Sequence, residues 1–281
     1  MNQKTQTDNV TLILMIIFHA LAFIGLFMPT TGGVIAFVIF YAITVLGITV
    51  GFHRYFTHQS FKANIWVRRA LAVAGSLALQ GNIREWVAHH RMHHAGSDTS
   101  KDPHDASQGF WFSHILWLFK IVPEFDDVKI QNKFARDIIN DPFLNWLCRP
   151  IVFIGMQVVL GIILWAAFSF EVMMWGIWVR LIAVYHVTWF VNSVCHTFGY
   201  KNFPIGDRSV NNWWVGLLAF GEGWHNNHHA LPDSARQGLR WWEFDISWHF
   251  IKSLEKLNLV WDIKEASYPE EAPQKVSNAT H

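Results

Sequence analysis

The chain has 281 residues, of which 52% are apolar and only 15% charged, with 16 Trp and 23 Phe. That balance is too apolar for an ordinary water-soluble domain and points to a membrane protein. A net charge of +1 gives no basic footprint for nucleic acid, and two cysteines without paired spacing, Cys148 and Cys195, give no disulfide framework.

Residues Met1–Val10 carry one lysine, Lys4, and lead into an apolar run with no small-residue cleavage site, so a retained membrane segment is expected there rather than a signal peptide. Four apolar runs are predicted spans: residues 11–28, 33–52, 151–170 and 172–191. Each is close to the roughly 20 residues that cross a ~30 Å hydrocarbon core. Pro29 and Gly32-Gly33 turn the chain within the first pair and Ser169–Glu171 within the second, giving two helical hairpins. Ile65–Leu79 reads as a helix at the interface or against a cap, Asp98–Asp105 as polar turns, and Phe110–Phe119 as an aromatic interfacial stretch. The tail at 268–281, with Pro269, Pro273, Glu270 and Glu271, is expected to be disordered. The expected fold is all-α and integral to the membrane: one domain over 1–267, with four transmembrane helices and a helical cap from 53–150 and 192–267. Most Lys and Arg fall between the second and third runs and after the fourth. By the positive-inside rule, both termini and the cap are expected on the cytoplasmic side.

Sixteen histidines are distributed unevenly. His53-Arg-Tyr-Phe-Thr-His58, His90-Arg-Met-His93-His94 and His225-Asn-Asn-His228-His229 form three boxes, and His196 stands alone after the fourth run. On a helix, positions i, i+3 and i+4 share one face with Cβ atoms about 5–6 Å apart, which suits the second and third boxes. His53 and His58 are five apart and fit one α-helical face only loosely. Imidazole suits iron, copper, zinc and nickel alike. Catalytic zinc typically takes three protein ligands and structural zinc four, so nine histidines are too many for one centre and about right for two. Transporters hold ionisable ligands near the bilayer midplane; here the boxes lie beyond the span ends, which argues against a metal transporter or sensor. His89, His104, His114, His249 and His281 are expected outside the ligand set, and His19 and His186 lie within spans. Histidines that bind metal are usually oriented by carboxylates. Glu85, Asp102, Asp105, Asp207 and Glu222 are available for that, and each reads equally well as a solvated charge.

The three boxes in this order, with four spans, resemble the membrane fatty-acid desaturases, and more specifically the bacterial and plant-like branch of the Δ9 (stearoyl-CoA-type) acyl desaturases. The resemblance runs over about residues 33–262 and includes Gly51-Phe52-His53-Arg54, Thr57-His58, Glu85-Trp86, Asp102-Pro103-His104 and Phe112-Ser113-His114. It continues through Asn192-Ser193-Val194-Cys195-His196, Gly221-Glu222-Gly223-Trp224, Ala230-Leu231-Pro232 and Trp242-Glu243-Phe244-Asp245. It implies a di-iron centre on His53, His58, His90, His93, His94, His196, His225, His228 and His229, with Asn192 approaching one iron through water. It also implies O2 as co-substrate and a cis double bond placed in a long saturated acyl chain. The sequence has no His-Pro-Gly-Gly haem element and no cysteine cluster. Electrons are therefore expected from a separate ferredoxin, rubredoxin or cytochrome b5 type of donor. Animal acyl-CoA desaturases carry Arg-Asp directly before the second box; here the pair is Ala88-His89, so acyl-CoA and an acyl lipid both stay open as substrate. A blocked tunnel is expected to set how far the chain reaches, with Tyr41, Tyr185 and Trp189 as bulky residues on spans two and four. The nearest rival is a membrane hydroxylase or ketolase of a lipid or alkane. Alkane hydroxylases tend to have more spans and a further motif that the sequence does not show, and the five-residue step in the first box favours the Δ9 class.

Overall fold

Most of the long helices open on a side chain that satisfies their first amide groups. Asp8 accepts from the Thr11 amide at 3.0 Å and starts α1, Asn9–Leu26. Thr30 accepts from the Gly33 amide at 3.0 Å and starts α2, Thr31–Thr57. Asn64 caps α3, Ile65–Ser76, and Asn82 with Glu85 forms a reciprocal capping box at the start of α4, Ile83–Gly96. Short helices and turns follow, then α5, Pro150–Ala167, and α6, Phe170–His196. Three shorter helices complete the cap: α7, Trp213–Leu218; α8, His225–Ala230; and α9, Ile246–Lys256. This computed structural model describes residues 6–267; Lys4, His281 and the tail expected at 268–281 lie outside the described residues. Two-residue antiparallel pairings tie Gln6–Thr7 to Lys120–Ile121 and Lys62–Ala63 to Val260–Trp261.

Among the described residues, helices α1, α2, α5 and α6 are the four that are long and apolar enough to cross a membrane. They are of two kinds. The 18-residue α1 and α5 are only 11% buried within the protein and face outwards, whereas the 27-residue α2 and α6 are 44% and 56% buried and form the inner pair. The runs expected at 33–52 and 172–191 therefore continue further, because the polar residues that follow them are helical too. At 1.5 Å per residue such a helix is about 40 Å long, about 10 Å more than the ~30 Å core requires. That surplus carries His53 and His196 out of the apolar layer and into the cap.

The surplus of α2 is also wound differently. Gly47–Thr57 is a π-helix, and the His58 amide reaches the His53 carbonyl five residues back at 3.1 Å. In π winding, residues five apart stand one above the other. The spacing that suits an α-helix poorly thus puts His53 and His58 on one face, with ring centroids 4.8 Å apart. The Thr57 hydroxyl donates to the Phe52 carbonyl at 2.8 Å, reinforcing the wider turn.

Helix α3, which ends at Ser76 and not at Leu79 as the sequence suggested, crosses α2 closely enough that only glycine fits. A Cβ on Gly47 would stand 2.3 Å from the Ala74 carbonyl carbon and the Gly75 nitrogen. The carbonyls just past the end of α3 are answered from α6. Arg180 is fully buried and donates to the Leu77 carbonyl at 2.6 Å and to Gln157 Oε1 at 3.0 Å. An intramembrane arginine is normally paired inside the bundle in this way.

Replacing Gly47 by Val drives the side chain into backbone and is expected to destabilise the protein by at least the ~1–3 kcal/mol of overpacking. A lower melting midpoint in detergent checks this; an unchanged midpoint would show that α2 and α3 do not need that close approach.

Candidate metal centre

The cap brings all nine histidines together in two groups. His53, His58, His90, His94 and His228 form one, and His93, His196, His225 and His229 the other; within each, the ligand nitrogens lie within 4.8 Å of one another. Helices α4 and α8 face each other and contribute reciprocally. From α4, His90 and His94 join the first group and His93 the second, whereas from α8, His225 and His229 join the second and His228 the first. On a helix, i and i+4 lean one way around the axis and i+3 the other, so one HxxHH helix supplies both groups. His58 and His53 arrive on the π turn of α2, and His196 arrives on the last turn of α6.

The ring nitrogens meet edge to edge. Nε2 of His93 lies 3.2 Å from Nε2 of His229, and Nε2 of His196 lies 3.0 Å from Nε2 of His225. In the first group the Nε2 separations are 3.0 Å for His53–His228, 2.9 Å for His94–His228 and 3.1 Å for His90–His94. The other nitrogens fix the tautomers. His93 Nδ1 donates to Asp102 at 2.9 Å, His229 Nδ1 to Asp207 at 2.6 Å, and His196 Nδ1 to Asp98 at 3.1 Å. His53 Nδ1 sits against the Glu222 carboxylate. A neutral imidazole that donates from Nδ1 has only a lone pair on Nε2. When both rings are neutral, His93 and His229 point two lone pairs at each other, a repulsive contact that a cation between them makes favourable. Two imidazole nitrogens each ~2.1 Å from one ion and at right angles stand about 3.0 Å apart, the separation seen here. His58 Nε2 is buried with no hydrogen-bond partner. The residues present fit a pair of metal ions.

Burial favours the neutral form of six of these histidines, the form that metal binding requires. It holds His229 at about 4, against the pull of the Asp207 carboxylate. Burial first, and neighbouring histidines second, push His58, His90, His94, His225 and His228 well below 6.5. The carboxylates move the other way on balance. Burial raises Asp102, but His104, His93 and the hydrogen bonds outweigh it and leave the group below the ordinary carboxylate range. Burial likewise raises Asp207, and the His229 and Ser209 hydrogen bonds bring it down.

The carboxylates named from sequence divide. Asp102, Asp207 and Glu222 stand on rings of the two histidine groups as described. Glu85 instead caps α4, accepting from the Asn82 amide at 3.2 Å, and Asp105 caps a short turn through the Ser107 amide at 2.8 Å; neither touches a ligand. Both do local helix-end work, which is the commoner use of an acidic residue ahead of a helical turn. Asp98 was missed. It lies 98 positions from His196 in sequence, and no local spacing announces that contact. Its backbone is left-handed, with φ of 59°, a region Asp tolerates. His104 stays outside both groups but makes a third close set with His93 and Asp102, its ring tilted against that of His93 at 4.4 Å between centroids and its Nδ1 3.4 Å from Asp102. His89 turns away, its Nε2 3.3 Å from the Phe125 carbonyl.

An outer layer holds these carboxylates and α8 in place. Arg54 donates to Glu222 at 3.2 Å and to Asp245 at 3.0 Å, joining the first box to two later segments. A six-residue helix such as α8 is too short to be stable alone. Asn226 and Asn227, pointing away from the histidines, secure it. The Asn211 side chain accepts from both of their amides at 3.0 and 3.2 Å, and Asn227 donates to Glu243 at 2.8 Å. Glu243 and Asp245, at alternate positions of Trp242-Glu243-Phe244-Asp245, are thus the inward anchors between two outward aromatic residues.

Two cavities meet at the centre. A small chamber of about 50 Å3 touches both histidine groups through His53, His90, His93 and His225; Val45, Ile48 and Ala219 give it apolar walls, and Thr49, Asn192 and Glu222 add polar ones. A large cavity of about 1110 Å3 shares Trp86, His90, Thr188 and Asn192 with it. Tyr185 and Trp189, expected in a tunnel, line the large cavity, and Asn192 lines both. Tyr41 lines neither. It lies one turn beyond Val45 on α2, and its hydroxyl donates to the Leu218 carbonyl at 2.8 Å.

Two outcomes follow from this geometry. Asp207→Asn removes the charge that orients His229 and is expected to weaken metal binding about 10–100-fold; metal titration of the purified protein reads this, and unchanged affinity would remove Asp207 from that role. Below pH 6.5 the unfolded chain takes up protons that the five depressed histidines refuse in the folded state. Metal-free protein is therefore expected to be stable above pH 6.5 and to lose stability as pH falls, more steeply than the ~1.4 kcal/mol per pH unit of one group. Melting midpoints at stepped pH test it; a flat profile would contradict it.

The comparisons with known proteins agree with the geometry. The family model for fatty acid desaturases matches residues 9–259. The sn-1 stearoyl-lipid 9-desaturase of Anabaena variabilis is 46% identical over 232 residues, covering 83% of this chain and 84% of its own. The sn-2 palmitoyl-lipid 9-desaturase of Nostoc sp. (strain 36) is 41% identical over 246 residues, covering 86% and 85%. The acyl-CoA C20 Delta5-desaturase of Anemone leveillei is 42% identical over 267 residues, covering 89% and 82%. Four membrane-length helices, a two-part histidine centre and a family match over nearly the whole length lead to one conclusion: this chain belongs to the fatty acid desaturase family.

Proposed function

We propose that this fatty acyl desaturase introduces a cis double bond at the Δ9 position of a long saturated chain esterified in a membrane lipid, using two irons held by the nine histidines. The observation that carries the reading is the pair of facing imidazole groups opening onto an apolar chamber. The Δ9 position and the lipid carrier are supported by the names of the two cyanobacterial relatives. The carrier has a second support in charge. The large cavity is lined at its polar end by Asp8, Glu85 and Asp126 against one lysine, Lys120. Such a mouth repels the polyphosphate of CoA and suits an uncharged or zwitterionic headgroup. Ala88-His89, in place of the Arg-Asp of animal enzymes, agrees with this.

No side-chain acid or base can take hydrogen from an unactivated methylene, and the bound irons would supply that oxidising power from O2. The chain's own residues do the rest. Asp98, Asp102, Asp207 and Glu222 hold the Nδ1 protons of four ligands, so that their Nε2 lone pairs stay aimed inwards. Asn192, on the wall of both cavities, would meet the centre through a water. Val45, Ile48 and Ala219 keep bulk water from the chamber. Two hydrogens leave neighbouring carbons; with two protons and two electrons from a donor, O2 becomes two waters. The donor is a separate ferredoxin, rubredoxin or cytochrome b5 type of protein. It docks on the cap, which with both termini lies on the cytoplasmic side, where exposed residues such as Lys129 and Arg136 attract an acidic partner.

Expression in a host without monounsaturated fatty acids, followed by chromatography of its lipids, is expected to yield a Δ9 cis double bond with the intact chain and none with His93→Ala. A hydroxylated chain would favour the hydroxylase reading. Purified enzyme given a donor and either stearoyl lipid in vesicles or stearoyl-CoA is expected to act on the lipid; action on the thioester alone would overturn the carrier assignment.

A further inference from the structure

We propose that the large cavity binds a lipid with two acyl chains and holds both at once, one at the histidines for reaction and the other in the cleft between α1 and α5. This rests on the acyl-lipid reading above and deepens it. The cavity forks. At Trp86, His90, Thr188 and Asn192 it joins the small chamber beneath the histidines. From Thr188 its other arm descends along α6 as far as Met173, walled by α1 at Phe18 and by α5 at Gly161. The fifteen residues from Met173 to Thr188 rise about 22 Å, more than the ~15 Å that one leaflet's share of the hydrocarbon core requires. One apolar chain of a bilayer lipid fits that length.

The lower arm asks for nothing but a hydrocarbon. Its polar members are already engaged: the Tyr185 hydroxyl donates to the Leu79 carbonyl at 2.8 Å, and the Gln157 carbonyl oxygen accepts from Arg180 at 3.0 Å. Its outer wall opens to the bilayer, since Ile154, Val158 and Ile162 line the cavity and are also exposed. Its upper end meets the polar mouth at Asp8, Lys120 and Asp126, where a headgroup would rest. A volume of about 1110 Å3 exceeds the ~300–1000 Å3 usual for a single small ligand. A single-chain thioester would leave the lower arm without an occupant of its own. Moving a chain from bilayer to protein gains little hydrophobic energy, because both surroundings are apolar. The second chain therefore acts by positioning: with headgroup and one chain fixed, the depth of the reacting chain is set.

Gly161 allows a direct test. A Cβ there meets only Ile177 and Met173 side chains at 3.8 and 3.9 Å, ordinary contact, so Gly161→Phe fills the arm without striking backbone. Turnover of the variant on a diacyl lipid in vesicles is expected to fall about tenfold, and turnover on the monoacyl lipid of the same headgroup to stay near that of the unaltered enzyme. A photoactivatable group on the non-reacting chain of the diacyl lipid is expected to mark Phe18, Gly161 or Leu181, and the marks are expected to vanish in the variant. Equal effects on both lipids, no effect on the diacyl lipid, or marks confined to outward positions such as Ile151 and Ile163 would overturn the proposal. Each of those results leaves the acyl-lipid reading standing. Activity of the unaltered enzyme on stearoyl-CoA with no activity on either lipid would instead remove that reading, and this one with it.

Discussion

Everything at the centre depends on which nitrogen of each imidazole carries the proton. Four carboxylates, Asp98, Asp102, Asp207 and Glu222, take the Nδ1 side of four rings and leave Nε2 bare and facing inwards. Nine imidazoles in so small a space repel one another when protonated, and burial removes the solvent that would let them charge. The cap thus stores an arrangement of lone pairs that is unfavourable by itself and favourable around cations. This explains the weight of polar structure behind the histidines. Arg54 steadies Glu222 and Asp245, and the asparagine network steadies α8, because a ring that drifted by one rotamer would find a neighbour to hydrogen-bond and stop being a ligand.

The second requirement is depth. Histidines belong in water and acyl chains in the bilayer, and the two must meet. Helices α2 and α6 resolve this by being 27 residues long, so that their outer turns stand in the cap while their inner turns line the cavities beneath it. His53 and Val45 are on one helix, as are His196 and Tyr185, and the chain of contacts from lipid to ligand never leaves a rigid element.

How much of this was legible in the sequence follows from how local each feature is. The HxxHH boxes state their own geometry, because helical spacing puts three rings on a face, and the spans follow from apolar length alone. HxxxxH misled on an α-helical ruler and becomes plain on a π one: the spacing of five was the signal, and the winding was the missing term. The carboxylates were half legible. Asp102, Asp207 and Glu222 sit in polar stretches near histidine motifs, but so do Glu85 and Asp105, which cap helices, and only the fold separates the two uses. Asp98 reaches His196 across the cap, and no sequence interval carries that information. Tyr185 and Trp189 line a cavity because α6 is both a span and a wall; Tyr41, on the same logic, falls just outside, since whether a bulky residue lines a space or backs it depends on rotations of a fraction of a helical turn.

The central claim is that two metal ions share nine histidines, divided into the two groups seen here. Anaerobic titration of metal-free protein with Fe2+, read as ions bound per chain, tests it most directly. Two irons per chain are expected, with His225→Ala weakening one site far more than the other. A single site, a preference for one zinc, or equal weakening of both sites would contradict the division of the cap into two centres.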